Sequence, residues 1–260
     1  GKNRYNAMAL LNYEVTDSLE AYFEGSYYRS ENKRLNDASA ILSAVPVGIS
    51  RNAYWNPFGP TTVSGVANPN RLPGTTIPST GADVIMERYR FVDAGNRGVF
   101  VDKDAYRLVG GLRGNLGAWE FDTGFVYSES KVADLETNRV SLTAMQQSIN
   151  RTTSDAYNPF NGGCITDPGQ GDCTPNPASV IDTFRINVSR VGGTSLALAD
   201  FKISRDDLIV LPAGNLGVAT GVEWRRETFY DDRDSRLDGT ITFTDSVTGV
   251  FNGSDVAGTS

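Results

Sequence analysis

The sequence predicts an all-β chain, an antiparallel β-barrel segment of about six strands arranged as three hairpins. Three observations predict it. Runs of ten or more residues alternate apolar and polar, the period of a strand with one apolar face. The runs come in pairs joined by three or four turn residues. The pairs are separated by long polar stretches, roughly 31–100 and 131–194, and a third begins at 231. Loops of that length inside a compact soluble domain would count against the strands. In transmembrane barrels they are ordinary, because such barrels have tight turns at one end and long loops at the other. A membrane-crossing strand needs about 9–11 residues, and every run here meets that length.

The first hairpin covers about 4–30. In "RYNAMALLNYEV", Tyr5, Ala7, Ala9, Leu11, Tyr13 and Val15 share one face, and Asn6, Met8, Leu10, Asn12 and Glu14 the other. "TDS" turns the chain. "LEAYFEGSYYRS" then sets Leu19, Ala21, Phe23, Gly25 and Tyr27 against Glu20, Tyr22, Glu24, Ser26 and Tyr28. The second hairpin, about 101–130, repeats the plan. Tyr106, Leu108, Gly110 and Leu112 oppose Arg107 and Arg113. After "NLGA", Trp119, Phe121, Thr123, Phe125 and Tyr127 oppose Glu120, Asp122, Gly124, Val126 and Ser128. The third hairpin, about 196–230, turns at "PAGN". Its second arm places Leu216, Val218, Thr220, Val222 and Trp224 opposite Gly217, Ala219, Gly221, Glu223, Arg225 and Glu227. The segment 87–99 also reads as strand. If it crossed the sheet, every later turn would be inverted, so it is expected to extend the strand that follows it.

Alternation alone fits two solvents. In a sandwich the apolar face is buried and the charged face meets water; in a barrel the apolar face meets lipid and the charged face a wet or plugged lumen. Tyr13, Trp119, Tyr127 and Trp224 fall toward strand ends, where the aromatic girdles of a barrel belong.

Composition narrows the chemistry. The 260 residues carry 24 Lys+Arg against 31 Asp+Glu, a net charge of −7, and no basic stripe, so no nucleic-acid partner is expected. With no histidine, Ser-His-Asp and Cys-His mechanisms are excluded, and the commonest metal ligand is missing. No catalytic residue, metal or cofactor is expected. No 18-residue apolar window exists for a membrane helix. The first residues read as the inside of a strand and the last as a loop, as expected of a piece of a longer protein.

The stretches "YRLVGGLRGNLGAWEFDTGFVYSES" and "LPAGNLGVATGVEWRRETFYDD", with the "NPF" loops, resemble the barrel region of TonB-dependent outer-membrane receptors of the large-loop proteobacterial type. The resemblance covers almost the whole chain. It implies part of a 22-stranded barrel in the outer membrane of a Gram-negative bacterium, with short periplasmic turns and extracellular loops at about 31–100, 131–194 and 231–260. It implies import of a scarce nutrient such as a ferric siderophore or an oligosaccharide, driven by the TonB complex. The implied partners are outer-membrane lipid, the rest of the barrel, a plug domain not present in this chain, and the small-molecule nutrient. A passive porin or structural barrel, and a soluble β-sandwich that binds glycans or adhesion partners, remain as alternatives.

Candidate sites fall in the loops. Cys164 and Cys173 bracket a Gly/Pro-rich polar stretch and are expected to form a local disulfide, which an oxidising envelope permits. Tyr54, Trp55, Phe58, Tyr157 and Phe160 could stack on a sugar or an aromatic siderophore, or pack the loops against each other. Asp231, Asp232 and Asp234 could meet a cationic or metal-chelate ligand, or pair with Arg233 and Arg236. The aromatic set comes from a repeat, "AYWNPFGP" at 53–60 and "AYNPFNGG" at 156–163. Proline fixes φ and extends the residue before it. Both copies follow a strand leaving the same end of a hairpin, so similar turns are expected at 55–59 and 157–161, on one side of the sheet.

Overall fold

The computed structural model describes residues 1–161, 173 and 175–258. Strands β1 (Lys2–Thr16) and β2 (Leu19–Asn36) are followed by six short strands: β3 (Ala40–Ile41), β4 (Val47–Ile49), β5 (Thr62–Val63), β6 (Val66–Ala67), β7 (Val84–Met86) and β8 (Tyr89–Arg90). Then come β9 (Arg97–Leu116), β10 (Trp119–Val140), the helices α1 (Leu142–Ile149) and α2 (Ala178–Ile181), β11 (Arg185–Leu211), β12 (Gly214–Arg233), β13 (Phe243–Thr244) and β14 (Phe251–Asn252). The chain divides into two compact units. A strand unit takes 1–33, 100–134 and 190–232; a loop unit takes 34–99, 135–189 and 233–260.

The strand unit is built on one meander. The sheet order is β1-β2-β9-β10-β11-β12, so each long strand lies beside its neighbours in sequence. In the first hairpin Leu11 faces Phe23 and Ala7 faces Tyr27, with a register shift between Glu14 and Thr16. The three hairpins close on two residues each, at 17–18, 117–118 and 212–213, the shortest turns that antiparallel strands use. All three tight turns therefore lie at one end of the meander, and the long connections leave from the other. β1 and β12 form its two edges.

The strands run further than alternation predicts: β2 to Asn36, β10 to Val140, and β11 from Arg185. Beyond Tyr27 the sequence reads "YRSENKRLN", polar on both faces, which erases the period-2 signal without ending the strand. The expectation for 87–99 is met only at its end. Arg97–Val99 opens β9, while Tyr89–Arg90 is β8, paired with β3, and Val92–Ala94 is a 3-10 turn.

The loop unit has an apolar core of its own. Ile41, Val47, Ile49, Phe91, Leu142, Met145, Ile149, Phe184 and Phe243 are among its buried members. Polar bonds fix the short elements around it. Ser141 caps α1 by accepting the Ala144 amide at 3.2 Å. Asp255 accepts the Thr143 amide at 2.8 Å and the Ser141 hydroxyl at 2.6 Å. Gln146 donates to the Gly48 carbonyl and accepts the Ser246 amide. Asp245, beside β13, accepts the amides of Gly48, Val247 and Thr248 at 2.6–2.8 Å. Burial pushes its carboxyl up, but these amide donors prevail and hold it below the usual carboxylate range.

Candidate functional site

The strand unit presents two chemically opposite faces. The cross-strand contacts assign them. Arg107 bonds Glu24 at 3.3 Å and Arg113 bonds Glu20 at 2.8 Å, while Phe121 stacks on Phe201 at 6.5 Å between ring centres. One face therefore carries Glu20, Tyr22, Glu24, Arg107, Arg113, Asp122, Asp200 and Lys202. The other carries Leu11, Tyr13, Phe23, Leu108, Leu112, Phe125, Phe201, Val222 and Trp224.

The apolar face is uncovered. Leu11 is 62% exposed, Phe125 50% and Trp224 55%. Among the described residues Val109 is the only buried apolar residue of the strand unit.

The apolar face also has a border. In β2 it runs from Leu19 to Tyr27, and the next residues on that face are Arg29 and Glu31. In β9 it runs back from Leu116 to Tyr106, and then come Asp104 and Asp102. In β10 it runs from Trp119 to Tyr127, followed by Glu129 and Lys131. Each apolar run thus spans nine to eleven residues from tight turn to tyrosine. The phenols reach across the border to carboxylates. Tyr27 donates to Asp104 at 2.7 Å, Tyr106 to Glu129, and Tyr127 to Glu129 at 3.5 Å. Arg29 and Lys131 pair with the same carboxylates. Tyr127 was expected at a border; Tyr27 and Tyr106 were missed. The signal that marks all three is a charged residue two positions further along the same face.

The polar face carries hydrogen bonds that cross between strands. Tyr22 of β2 reaches over β9 to bond Asp122 of β10 at 3.2 Å. The path is open because Gly111 lies beneath the ring, where a Cβ would overlap both the phenol and the Thr123 carbonyl. Asp200 of β11 bonds the Gly124 amide at 3.0 Å. Two hollows lie on this side. One of about 1030 Å³ near the tight turns is lined by Glu14, Glu20, Arg113, Asp122 and Lys202 among others. One of about 520 Å³ lies further along the strands, between Tyr28 and Phe229.

The loop-unit candidates divide between structure and surface. The repeated turn is the same device twice. Asn56 accepts the Phe58 amide at 2.8 Å and Asn158 accepts the Phe160 amide at 2.9 Å, and both asparagines are buried. The two copies touch. Tyr54 donates its amide to the Arg151 carbonyl at 2.9 Å, and the Trp55 indole donates to the Ala156 carbonyl at 3.0 Å. Tyr157 is fully buried among Tyr89, Phe91 and Phe184, with its hydroxyl donating to Asp93. It has no free ring face for a ligand. Burial, the neighbouring Tyr89 and Asp93 push its phenol far up, and burial pushes Tyr89 up to about 12. Phe160 packs on the same core. Tyr54, Trp55 and Phe58 keep part of their surface outside.

Of the three aspartates, Asp231 is held by Arg190 at 2.6 and 3.0 Å, rather than standing ready for a ligand. Asp234 accepts the Arg236 amide at 3.0 Å, and Asp232 is exposed. Cys173 is disulfide-bonded; Cys164 lies outside the described residues. No family model matches the chain, and no curated protein or solved structure matches it.

Proposed function

We propose that the chain is wall of an outer-membrane β-barrel, a part of an active-transport receptor that takes up a scarce nutrient. The observation that carries this reading is the uncovered apolar face with its tyrosine border. In water such a face has no counterpart. Phe23, Phe125, Phe201, Val222 and Trp224 would stay wet, forgoing roughly 1.5–3 kcal/mol for each side chain left unburied. In lipid the same face is satisfied. Its length of nine to eleven residues matches what a tilted strand needs to cross the hydrocarbon. Tyrosines at the edge of that band, with their hydroxyls turned to charged groups, are what a membrane–water interface selects. The polar side, with its hollows, fits a hydrated lumen, and its paired charges suit contact with water and with a plug. The two open edges, β1 and β12, fit a sheet continued by further strands, since lipid does not tolerate unpaired edge amides.

The receptor identity within barrels rests on the motif resemblance, and with it the plug, the TonB complex and the nutrient. Fractionation of cells that produce the protein tests the wall reading. The chain is expected in the outer membrane, released by detergent and not by high salt. A chain that is soluble without detergent and monomeric on gel filtration would overturn it.

A further inference from the structure

Four cations of the polar face have carboxylate partners. Arg107 is held by Glu24, Arg113 by Glu20, Arg190 by Asp231 and Lys202 by Asp200. Lys2, Arg4 and Lys103 lie exposed on the same face and have no ion pair among the described residues. The carboxylate of β10 at this level, Asp134, acts on Arg190.

The strand register brings two of these cations together. Arg4 is the partner of Ser30, and Lys2 of Asn32. Between β2 and β9, Arg113 bonds Glu20, Gly111 lies beneath Tyr22, and Lys33 sits over Phe100. Counted along that register, Lys103 falls opposite Ser30. Arg4, Ser30 and Lys103 therefore form one row across three adjacent strands. The backbones of the two cations stand two strand spacings apart, roughly 10 Å, with Ser30 between them. Ser30 is 4% exposed, and its hydroxyl bonds no other group among the described residues.

Two unpaired like charges at that separation favour an anion between them. A phosphate monoester suits the row better than a carboxylate does. It carries nearly two negative charges at neutral pH and three strong acceptor oxygens. An arginine takes two such oxygens as a fork, and a lysine meets them as a point charge. A serine hydroxyl between them can donate as well. There is room beside the row for an organic body. Tyr28 and Ala105, the next residues on this face of β2 and β9, line the hollow of about 520 Å³.

We propose that Arg4, Ser30 and Lys103 bind the phosphate group of a small soluble phosphate monoester. The site stands on this row of residues and goes beyond the reading of the chain as barrel wall.

The test is calorimetric titration of the whole chain, refolded in nonionic detergent, with glucose 6-phosphate, glucose, acetate and short-chain phosphatidic acid. Far-UV circular dichroism of every sample confirms the sheet. Glucose 6-phosphate is expected to bind, less tightly as salt rises, and glucose and acetate are not. The double variant Arg4→Gln, Lys103→Gln should weaken binding by about tenfold or more. The double variant Arg113→Gln, Lys202→Gln removes the same charge from the same face and should leave binding unchanged. Four results would overturn the proposal. The folded chain does not bind glucose 6-phosphate, glucose or acetate binds as tightly, the two double variants lose affinity equally, or the phosphatidic acid binds more tightly and marks a lipid site. If the chain proves soluble without detergent, the wall reading fails, and the same titration in plain buffer still decides the phosphate site.

Discussion

The two units dispose of their apolar residues in opposite ways. The loop unit turns Phe91, Phe184 and Tyr157 inward until no surface remains. The strand unit leaves Phe23, Phe125 and Trp224 exposed along one face of its sheet. The residue types are the same, and each arrangement is locally regular. What differs is the solvent each one implies. The loop unit removes its apolar surface from water by packing. The strand unit keeps its surface exposed, which the proposed membrane setting would satisfy. An exposed phenylalanine is a defect or a fit according to what touches it.

The largest expected effect tests that contrast with matched truncations. Phe184→Ala empties a filled site, which costs the transfer energy plus an unrelaxed cavity, about 3–5 kcal/mol. Phe125→Ala leaves no cavity on the proposed membrane reading, because detergent or lipid tails would close over the gap. It costs only the transfer term, roughly 1.5–3 kcal/mol. Urea unfolding of the detergent-refolded chain measures both. A loss at Phe125 equal to that at Phe184 would mean that Phe125 is packed against protein and would break the comparison.

A second pair separates the faces within one strand. Phe125 and Val126 are adjacent and point to opposite sides of β10. On the proposed membrane reading, Phe125→Arg puts a charge in the apolar band and should cost about 2–4 kcal/mol of stability in lipid. Val126→Arg adds a charge to a wall that already carries Arg107, Arg113 and Lys202, and should cost well under that. Yield of folded chain in lipid vesicles, read as heat-modifiable mobility on a gel, ranks the two. A Val126→Arg loss as large as that of Phe125→Arg would reverse the face assignment.

The strand unit was legible because its signal is local. Alternation requires only that neighbours in sequence take opposite faces, and the apolar runs to Tyr27, Tyr106 and Tyr127 carry it without interruption. It failed where both faces turn polar, so the ends of β2, β10 and β11 were placed short. The loop unit was hardly legible. Its strands are two or three residues long, and its core joins Ile41, Phe91, Ile149, Phe184 and Phe243, residues far apart in sequence that no periodic pattern connects. The repeated Asn-Pro-Phe could be seen as a turn. That the two turns would touch, or that Tyr157 would be core while Trp55 keeps part of its surface outside, depends on long-range packing.

The smallest expected effect addresses that repeat. Trp55 and Tyr157 occupy the same place in the motif, directly before the asparagine, and each spends its polar atom differently. The Trp55 indole donates to the Ala156 carbonyl at 3.0 Å and ties one copy to the other. The Tyr157 hydroxyl donates to Asp93 and lies 2.8 Å from the Tyr89 hydroxyl, inside a single cluster. Trp55→Phe and Tyr157→Phe both keep a ring and delete one donor. Trp55→Phe should cost about 1 kcal/mol, the net worth of one neutral hydrogen bond, and Tyr157→Phe about 1.5–3 kcal/mol, because its acceptor is a carboxylate. The consequences differ in where they spread. Trp55→Phe frees the neighbouring copy, so amide hydrogen exchange should quicken at both 53–58 and 154–158. Tyr157→Phe leaves the Trp55 bond standing, so exchange should quicken near 89–93 and 157 and stay unchanged at 53–58. Identical exchange patterns for the two variants would show that the copies are held by the shared core alone. The indole bond would then be incidental to the pairing, and the repeat would be two separate turns that happen to lie side by side.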